Sequence, residues 1–295
     1  AAIIQARVGD PLGLNAEQAA AAILRIANDK MAGAVRMVSL ARGHDPRDFA
    51  LFAFGGAGPL HATALARELA IPHVVIPARP GITNAIGCVV ADLRHDYVNT
   101  LNSPLADLDI ADVHRLFREQ EAAGRATIEA EAVEVERVEA RRSVDMQFQG
   151  QSHILSVALE HGEPSLQEFE QRFATAYWER FAVELPEIRP VLVNLHTAVL
   201  GKRRPVPLAA LAGSDERQAT AEAAITGRRS VWFEGTGRVD TPVYRRERLP
   251  EGAAFDGPAI VAQFDATTVI EPGQSARLDA DGNLLVSVAV NGASA

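Results

Sequence analysis

The sequence is short of cysteine and of positive charge, and each shortage excludes a class of protein. Cys88 is the single cysteine among 295 residues, so an intrachain disulfide is excluded, and there is no Cys/His cluster to form a zinc cage. Lys and Arg number 29 against 38 Asp and Glu, a net charge of −9 that disfavours nucleic acid as a partner. Such a composition is typical of a protein from a reducing cytoplasm.

Long apolar runs and recognised metal motifs are also missing. No run approaches the roughly 20 apolar residues that span a bilayer, and residues 1–7 lack the layout of a signal peptide. The motifs HExxH, CxxC and DxDxDG are absent, so the sequence predicts no metal ligand and no membrane contact. An initiator Met is absent too, and the first residues read like the middle of a helix, which favours the hypothesis of a fragment.

The residues that are present describe a folded α/β protein. Apolar residues make up 47% and charged residues 23%, as in ordinary globular proteins. At roughly 150 residues per domain, the length alone suggests two domains. The pattern along the chain predicts three segments: an α/β lobe over residues 1–103, an α+β region over 104–204 and a small β-rich domain over 205–295.

The first segment opens with a long helix. Asn15 and Gln18 form a capping box, and the helix is expected to end near Gly43. Its apolar stripe recurs at helical spacing and comprises Ile23, Ile26, Ala27, Ala34, Met37 and Val38.

A βαβ unit follows that helix. The continuous apolar run Phe49–Phe54 predicts a central, parallel strand covered on both faces. A glycine turn, a helix with Pro59 in its first turn and a strand over His73–Pro77 complete the unit. Thr83 is a candidate N-cap for a short helix that stops near Asp92.

The remaining segments combine helices with antiparallel strands. Alternating strands reverse at Gly150, and Ser165 with Glu168 forms a second capping box. The helix after this box carries an aromatic row, Phe169, Phe173, Tyr177 and Phe181, which we interpret as core rather than as a ligand site. An Ala-rich connection runs to Arg228, and short strands are expected from Ser230 to Val290.

The turn Gly55, Gly56, Ala57 and Gly58 lies where the predicted buried strand meets a helix. Backbone N–H groups and the helix dipole are available there to an anion or a nucleotide. The turn matches neither GxGxxG nor GxxxxGK[ST]. Two interpretations therefore stay open: a nucleotide-binding turn, or a turn that closes the strand–helix junction tightly.

Two further groups of polar residues are candidates for chemistry. His61 falls early in the helix after the glycines, where a neutral imidazole acts as an acid or base, or is simply packed at the helix start. Gln149, Gln151, Ser152 and His153 cluster on the reversal and are candidates for contacts to a substrate or an adjoining domain. Turn chemistry explains Ser152 equally well.

Two other groups have a simpler interpretation. Arg94, His95 and Asp96 suggest a charge relay, but no local motif ties a nucleophile to them, so we interpret them as a salt-linked surface or hinge. Cys88 lies in an apolar stretch, where a cysteine behaves as a small hydrophobe.

Nine short segments share an order and spacing that is far more specific than a glycine turn. They are Pro11–Leu14, Ile26–Asn28, Asp45–Ala50, Ala53–Ala62, Pro80–Gly87, Ala91-Asp92, Gln149–Gln151, Gly257–Val261 and Thr267–Val269. In these segments the chain resembles the hydantoinase A/5-oxoprolinase family. The resemblance covers nearly the whole chain.

The resemblance implies a fold and a place in a longer protein. Family members carry an Asp-x-Gly-Gly-Thr phosphate motif in an N-terminal half, and that motif is absent here. The chain thus resembles the C-terminal portion of a hydantoinase A-type subunit, beginning with the second lobe of an actin/sugar-kinase-like (ribonuclease H-like) fold. In such ATPases adenosine packs on a glycine pair after a strand, a place that Gly55 and Gly56 match, so the resemblance favours the nucleotide interpretation.

The activity that the resemblance implies is ATP-dependent opening of cyclic amides, such as hydantoins and 5-oxoproline, with ATP and Mg²⁺ as cofactors. Phosphorylation of the carbonyl oxygen would give the unstrained ring an electrophilic carbon and a good leaving group. A hydantoinase B-type subunit is the expected partner, beside the N-terminal half of the same subunit. Gly55, Gly56, Ala57 and Gly58 are then the cofactor-binding residues, His61 and His153 the catalytic candidates, and Asn84, Asp92, Gln149 and Gln151 the substrate or interdomain candidates.

Two alternatives accompany this prediction. Related subunits serve acetone-type carboxylases, so a ketone carboxylase subunit is one, and a non-catalytic assembly module that docks a partner through its β-rich end is the other. Asn84 stands where many relatives carry Ser, and Gln147 and Phe148 replace a more usual Arg and Tyr. These departures leave the ring substituent of the substrate open.

Overall fold

The structure of the protein, a computed structural model, describes residues 1–159, 162–207 and 216–289. Its longer helices are α1 (Ala16–Leu40), α2 (Gly58–Glu68), α3 (Thr83–Val90), α4 (Ile110–Ala130) and α5 (Leu166–Phe181). Its strands are β1 (Ala50–Phe52), β2 (His73–Ile76), β3 (Leu93–Pro104), β4 (Arg137–Phe148), β5 (Leu155–Leu159), β6 (Pro190–Lys202), β7 (Ile225–Phe233), β8 (Gly237–Arg245), β9 (Ala254–Asp256), β10 (Ala259–Ala262), β11 (Thr267–Ile270), β12 (Ser275–Leu278) and β13 (Leu284–Ser287). No helix within these ranges is long and apolar enough to cross a membrane.

The chain forms two compact units. Unit 1 consists of residues 1–89 together with the described residues from 207 onward, and unit 2 consists of residues 90–206. The segment after residue 205, expected from its sequence to form a β-rich domain, therefore shares a unit with the first lobe. Residues 208–215 of the expected Ala-rich connection, and Val290 at the end of the expected strands, lie outside the described residues. The first strand of this segment, β7, begins at Ile225, earlier than the pattern predicted.

Unit 1 contains two sheets around one core. The first has the strand order β1-β2-β13-β12-β9, and the second has the order β11-β10-β8-β7. β1 is parallel to β2, with Leu51 opposite Val74, while β13 is antiparallel to β2, with Leu284 opposite Ile76. Val74, Ile76 and Leu284 are fully buried, so the pairing of the last strand with the first lobe lies at the centre of the core.

β1 differs from the strand that its apolar run predicted. It is parallel to β2, as expected, but it lies at the edge of the sheet instead of the centre. Phe52 is 50% exposed and Phe54 is 41% exposed. The prediction of a strand covered on both faces is therefore wrong for the described residues, because an apolar run records the character of a strand's faces and not which neighbours cover them.

The long helix α1 begins as predicted but buries an unexpected face. The capping box is present, with Asn15 accepting from the Gln18 N–H and Gln18 accepting from the Asn15 N–H. The apolar stripe is largely exposed, with Met37 at 71%, whereas the small residues Ala19 and Ala32 are buried. Alanine lets a neighbouring element approach the helix axis closely, so small size decides the buried face here.

Unit 2 is an antiparallel sheet with two helices. The strand order is β3-β6-β4-β5, and α4 packs against β3 and β6 while α5 packs against β5. The capping box at Ser165 and Glu168 is confirmed. The interpretation of the aromatic row as core is confirmed for Phe169, Phe173 and Tyr177, which are buried, while Phe181 is partly exposed.

The approach of α4 to β6 depends on a glycine. A Cβ placed on Gly124 would overlap the side chain of Val199 on β6 and would lie 3.0 Å from the ring of Tyr97. Val199 is fully buried, so it has no room to move aside. Gly124 therefore sets the distance between the helix and the sheet.

We expect Gly124→Ala to lower the free energy of unfolding of unit 2 by about 1–3 kcal/mol, the usual cost of overpacking. The matched control is Gly33→Ala on α1, where no atom lies within 4 Å of the added Cβ. The control should stabilise unit 1 by about 1 kcal/mol, since alanine favours a helix over glycine. Scanning calorimetry of the three proteins checks this, and equal effects of the two substitutions would contradict it.

Candidate functional site

The glycine turn lies at the surface of unit 1, between β1 and α2. Gly55 has φ +83°, a left-handed conformation that favours glycine, and its N–H donates to the carbonyl oxygen of Pro80 at 2.7 Å. Gly56 and Ala57 are exposed, and Gly58 begins α2 with Pro59 behind it. The main chain of this turn is therefore reachable from solvent at a helix N-terminus.

Two other loops meet the glycine turn. One is the loop after β2, which contains the short helical turn Pro80–Ile82, and the other is the hairpin tip Gln263–Ala266 between β10 and β11. The Gln263 side-chain amide donates to the carbonyl oxygen of Ala78 at 2.7 Å, and the Gly81 N–H donates to Asp265 Oδ2 at 2.9 Å. We call residues 55–58, 78–82 and 263–266 the three-loop junction.

Asp265 sits in the space that two glycines leave. A Cβ on Gly81 would lie 2.6 Å from the Cβ of Asp265, and a Cβ on Gly56 would lie 3.3 Å from its carbonyl oxygen. Asp265 Oδ1 is buried and has no hydrogen-bond partner among the described residues. A buried carboxylate oxygen without a donor is costly, and the charge of the buried Arg246, which interacts with Asp265, offsets part of that cost.

A buried arginine, Arg246, anchors the hairpin tip Gln263–Ala266. Arg246 donates to the carbonyl oxygens of Ile76 and Gly282 at 2.9 Å each, and to Gln263 Oε1 at 3.3 Å. Burial lowers the pKa of Arg246 to about 10, and the nearby negative charge of Asp265 opposes that shift. The guanidinium therefore stays charged at neutral pH and ties the hairpin to the end of β2.

His61 lies on α2, one turn beyond the glycines. Its Nδ1 is 2.8 Å from Asn28 Oδ1 on α1. Because an amide oxygen only accepts hydrogen bonds, Nδ1 is the donor in this contact, and Nε2 is the ring nitrogen left for another partner. The ring borders a cavity of about 800 Å³ that Trp232, Arg67 and Glu271 also line.

Glu271, an acidic residue, also lines that cavity. Its side chain is 17% exposed and is ion-paired with Arg67. Burial raises the pKa of the Glu271 carboxyl, and the Arg67 charge only partly offsets this. The cavity thus contains an oriented imidazole and a carboxyl group that burial makes a weaker acid.

The predicted residues of unit 2 already have partners. Tyr177 donates its hydroxyl to Gln151 Oε1 at 2.8 Å, and the His153 ring lies 5.5 Å from that of Phe181. The Gln149 N–H donates to the carbonyl oxygen of Arg189. These contacts hold the reversal against the aromatic row of α5, which gives these residues a structural role.

Asp92 and Asn84 lie elsewhere. Asp92 accepts from Lys202 Nζ at 2.6 Å and from the Arg203 N–H at 3.0 Å, and the hydrogen bond from Lys202 lowers the pKa of its carboxyl. This contact joins the start of β3 to the end of β6 in unit 2. Asn84 is exposed on α3 in unit 1.

The structure therefore groups half of the predicted residues. Gly55, Gly56, Ala57, Gly58 and His61 share one end of α2 in unit 1, whereas Gln149, Gln151 and His153 share a reversal in unit 2. Sequence reasoning missed Asp265, Gln263 and Arg246, which carry no local motif. The one sequence feature that pointed toward this region was the neighbouring segment Thr267–Val269, which resembles the family.

A second polar cluster that sequence reasoning missed lies on the sheet of unit 2. Asp145 Oδ2 accepts from His196 Nε2 at 2.6 Å and from Asn194 Nδ2 at 2.9 Å. Burial alone would raise the pKa of the Asp145 carboxyl, but these hydrogen bonds outweigh burial and hold it below its ordinary value of 3.8. On the same sheet, Arg94 pairs with Asp96 and His95 with Glu131, which confirms the salt-linked surface.

The fold defines the class of the protein. The crystal structure of ATP-dependent caprolactamase from Pseudomonas jessenii matches 96% of this chain and 42% of that chain, with a TM-score of 0.75 and 28% identity. The predicted class, a mixed α/β chain of the actin/sugar-kinase-like hydantoinase type, is confirmed. A model of the hydantoinase/oxoprolinase family matches residues 2–97, and a model of the hydantoinase/oxoprolinase C-terminal domain matches residues 107–285. The chain therefore belongs to the hydantoinase/oxoprolinase family.

Relatives within this family differ in their named activities. The caprolactamase alpha subunit of Pseudomonas jessenii is 30% identical over 94% of this chain and 40% of its own length. The acetophenone carboxylase gamma subunit of Aromatoleum aromaticum is 31% identical over 95% of this chain and 39% of its own length. The chain thus spans about two-fifths of the length of these relatives.

The close approach of Asp265 to Gly81 predicts a coupled pair. Gly81→Ala should lower the free energy of unfolding of unit 1 by about 1–3 kcal/mol, because the new methyl group overlaps Asp265. In an Asp265→Gly background the same change should cost much less, since the overlapping Cβ is gone. Urea unfolding of the double-mutant cycle measures this. Gly87→Ala, with no atom within 4 Å of the added Cβ, is the control, and strictly additive effects would rule out the contact.

The low pKa of Asp145 predicts a pH-dependent stability. Because its folded-state pKa lies below the ordinary value, its contribution is present above about pH 4 and is lost as the pH falls through the folded-state pKa. Asp145→Asn should therefore melt below the wild type at pH 7, and the difference should narrow under about pH 4. Glu119→Gln on α4, an exposed member of an ion pair with Arg115, should change the melting temperature little at any pH. A difference in melting temperature between Asp145→Asn and the wild type that stays constant down to pH 3 would contradict the low pKa of Asp145.

Proposed function

We propose that this chain is part of an ATP-dependent hydrolase subunit that opens cyclic amides of the hydantoin, N-methylhydantoin or 5-oxoproline type. The observation that carries the proposal is the three-loop junction, where the glycine turn exposes main chain at the start of α2. The similarity over nearly the whole chain to a protein named as an ATP-dependent caprolactamase supports it.

The residues of the junction fit a nucleotide. Gly56 and Ala57 expose main chain beside the N-terminus of an 11-residue helix, where a nucleotide can approach the backbone closely. We assign Gly55, Gly56, Ala57 and Gly58 to ATP on these grounds.

The described residues do not fit a magnesium cage in the same way. Among them, no group of three or more His, Cys, Asp and Glu side chains converges on a point. Carboxylates and nucleotide phosphates are the usual ligands of Mg²⁺. We therefore assign no step to Mg²⁺ in this chain, and place the ion with the phosphates and with residues outside it.

His61 is the proposed acid/base of unit 1. ATP, when bound, supplies a phosphoryl group for the carbonyl oxygen of the cyclic amide. His61 Nε2 accepts the amide proton that the substrate loses, because Asn28 holds the other ring proton on Nδ1. Ala64, Leu24 and Trp232 give the cavity that His61 borders apolar walls for a small ring, beside charged residues that include Arg67 and Glu271.

The unit 2 candidates enter the proposal as supporting residues. In unit 2, His153 is the second acid/base candidate, and Gln149, Gln151 and Asp92 are the candidates for contact with the substrate or the adjoining domain. Asn84 is a separate candidate of this kind in unit 1. The hydrolytic step is assigned to a hydantoinase B-type partner subunit, which acts beside the N-terminal half of the same subunit. The relatives named as alpha and gamma subunits support an assembly of several chains.

A ketone carboxylase subunit is the second candidate function, and the similarity to the acetophenone carboxylase gamma subunit favours it. The two candidate functions, hydrolase and carboxylase, are distinguished by the co-substrates that they require. Turnover of ATP that a cyclic amide stimulates without bicarbonate supports the hydrolase. Turnover that requires both a ketone and bicarbonate supports the carboxylase.

A substitution at Gly58 tests the nucleotide assignment without disturbing the fold. The nearest atom to an added Cβ is the carbonyl carbon of Ala53 at 3.9 Å, so Gly58→Ala should fold normally. Its methyl group would stand where the nucleotide is proposed to approach, and we expect the KM for ATP to rise about tenfold, or about 1.4 kcal/mol. The intact enzyme with its partner subunit is assayed for amide-stimulated ATP hydrolysis, with Gly33→Ala as the control.

Gly56→Val is a less specific test of the same assignment. The structure places the carbonyl oxygen of Asp265 only 3.3 Å from a Cβ at this position, so a loss of ATP binding would also follow from a displaced hairpin. An unchanged KM for ATP in the Gly58→Ala variant would rule out the assignment of the glycine turn to ATP.

A further inference from the structure

We propose that the substrate of this chain is an uncharged cyclic amide that carries a bulky apolar substituent, bound in the cavity that His61 borders. The inference rests on the proposed function and narrows its substrate class. The cavity has a volume of about 800 Å³, and all of its lining residues belong to unit 1. Hydantoin has seven non-hydrogen atoms, which occupy roughly 200 Å³ even at about 30 Å³ each, the share of one molecule in liquid water. The ring alone therefore leaves most of the cavity unfilled, and a large substituent fits the remaining space.

Large apolar side chains of two helices border this space. Leu24 and Ile26 of α1 and Leu60 of α2 line the cavity, and they are 50%, 59% and 42% exposed. Most of the exposed surface of the lining is apolar. Single exposed apolar residues are ordinary, but a group of them around one cavity indicates a site for an apolar ligand. Such a ligand would also cover part of the exposed apolar stripe of α1, to which Ile26 belongs.

Trp232 of β7 adds an aromatic side chain to the lining, and three alanines keep the cavity wide. The indole of Trp232 is partly buried, so it presents a held aromatic surface on which a phenyl or alkyl group packs. Ala20 and Ala21 of α1 and Ala64 of α2 line the same cavity. Their short side chains leave volume that a leucine at the same positions would fill. Size and apolar character therefore describe the same ligand.

The charges of the lining argue against a carboxylate on the substituent. Arg25 and Arg67 are the two arginines of the lining, and both are already ion-paired, Arg25 with Glu234 at 3.3 Å and Arg67 with Glu271. A carboxylate, such as that of 5-oxoproline, would thus find no unpaired arginine in the lining, and an unmatched charge is a means by which a site rejects a ligand. Negative charge is instead contributed by five residues of the lining: Glu17, Asp29, Glu68, Glu234 and Glu271.

The test compares three cyclic amides on the intact enzyme with its partner subunit and saturating ATP: hydantoin, 5-benzylhydantoin and 5-carboxymethylhydantoin. The kcat/KM for 5-benzylhydantoin should exceed that for hydantoin by about tenfold or more, because even one methylene in an apolar pocket is worth about that factor. The kcat/KM for 5-carboxymethylhydantoin should lie below that for hydantoin, since its charge has no partner in the lining.

Substitutions in the lining then locate the substituent. Trp232→Ala, which removes the aromatic wall, and Ala21→Leu, which fills the space, should each lower the ratio of kcat/KM for 5-benzylhydantoin to that for hydantoin by about tenfold. Trp232→Phe keeps an aromatic face and should stay within about threefold of the wild-type ratio. Trp178→Ala on α5 of unit 2, where the tryptophan is 51% exposed, is the matched control and should leave the ratio unchanged. The ratio cancels any effect on ATP or on the partner subunit, which both substrates share.

Each other result is decisive. If the wild type turns over hydantoin and 5-benzylhydantoin equally well, the inference is overturned and the proposed function stands. A preference for 5-carboxymethylhydantoin overturns the uncharged class in the same way. A preference for 5-benzylhydantoin that survives both Trp232→Ala and Ala21→Leu overturns the assignment to this cavity, because the substituent then lies elsewhere. If no cyclic amide stimulates ATP turnover, the proposed function fails and the inference fails with it.

Discussion

The antiparallel pairing of β13 with β2 is the contact on which the architecture of unit 1 depends. Ile76 and Leu284 face each other across it and are completely buried. This pairing returns the end of the chain to the first lobe and extends the sheet through β12 and β9. The hairpin that carries Asp265 follows from the same return, because β10 and β11 pack on the other side of the core, where Thr63 of α2 bonds to Val269 of β11.

The glycines of the junction show that one residue type serves two purposes at neighbouring positions. Gly55 is required by its left-handed backbone, and Gly56 and Gly81 make room for Asp265. These glycines serve contacts within the protein, as expected for a turn that closes the strand–helix junction tightly. Gly58 is not explained in this way, since the nearest atom to an added Cβ is 3.9 Å away, and Ala57 is exposed. The interpretation of a tightly closed turn therefore accounts for Gly55, Gly56 and Gly81, while the nucleotide interpretation stays a proposal.

The apolar surfaces of α1 and β1 show what the periodicity of a sequence can and cannot predict. Both elements are apolar enough to be covered on more than one side, yet Met37 on α1 and Phe52 on β1 are exposed. A repeat of 3.6 residues identifies an apolar face but contains no information on its neighbour. In α1 the face that is buried is the one with the smallest side chains, Ala19 and Ala32, because close approach gains more contacts than a larger side chain at longer range.

The sequence by itself determined the capping boxes of α1 and α5, the parallel βαβ unit, the aromatic core of unit 2 and the family. Each of these depends on residues within a few positions of one another, or on the order of short motifs, so each is encoded locally. Only the tertiary structure decided that Asp265 meets Gly81, 184 residues away, that β13 joins β2, and that Gln151 bonds to Tyr177. Such contacts depend on how whole elements pack, and the packing energy is summed over many side chains that no single segment contains.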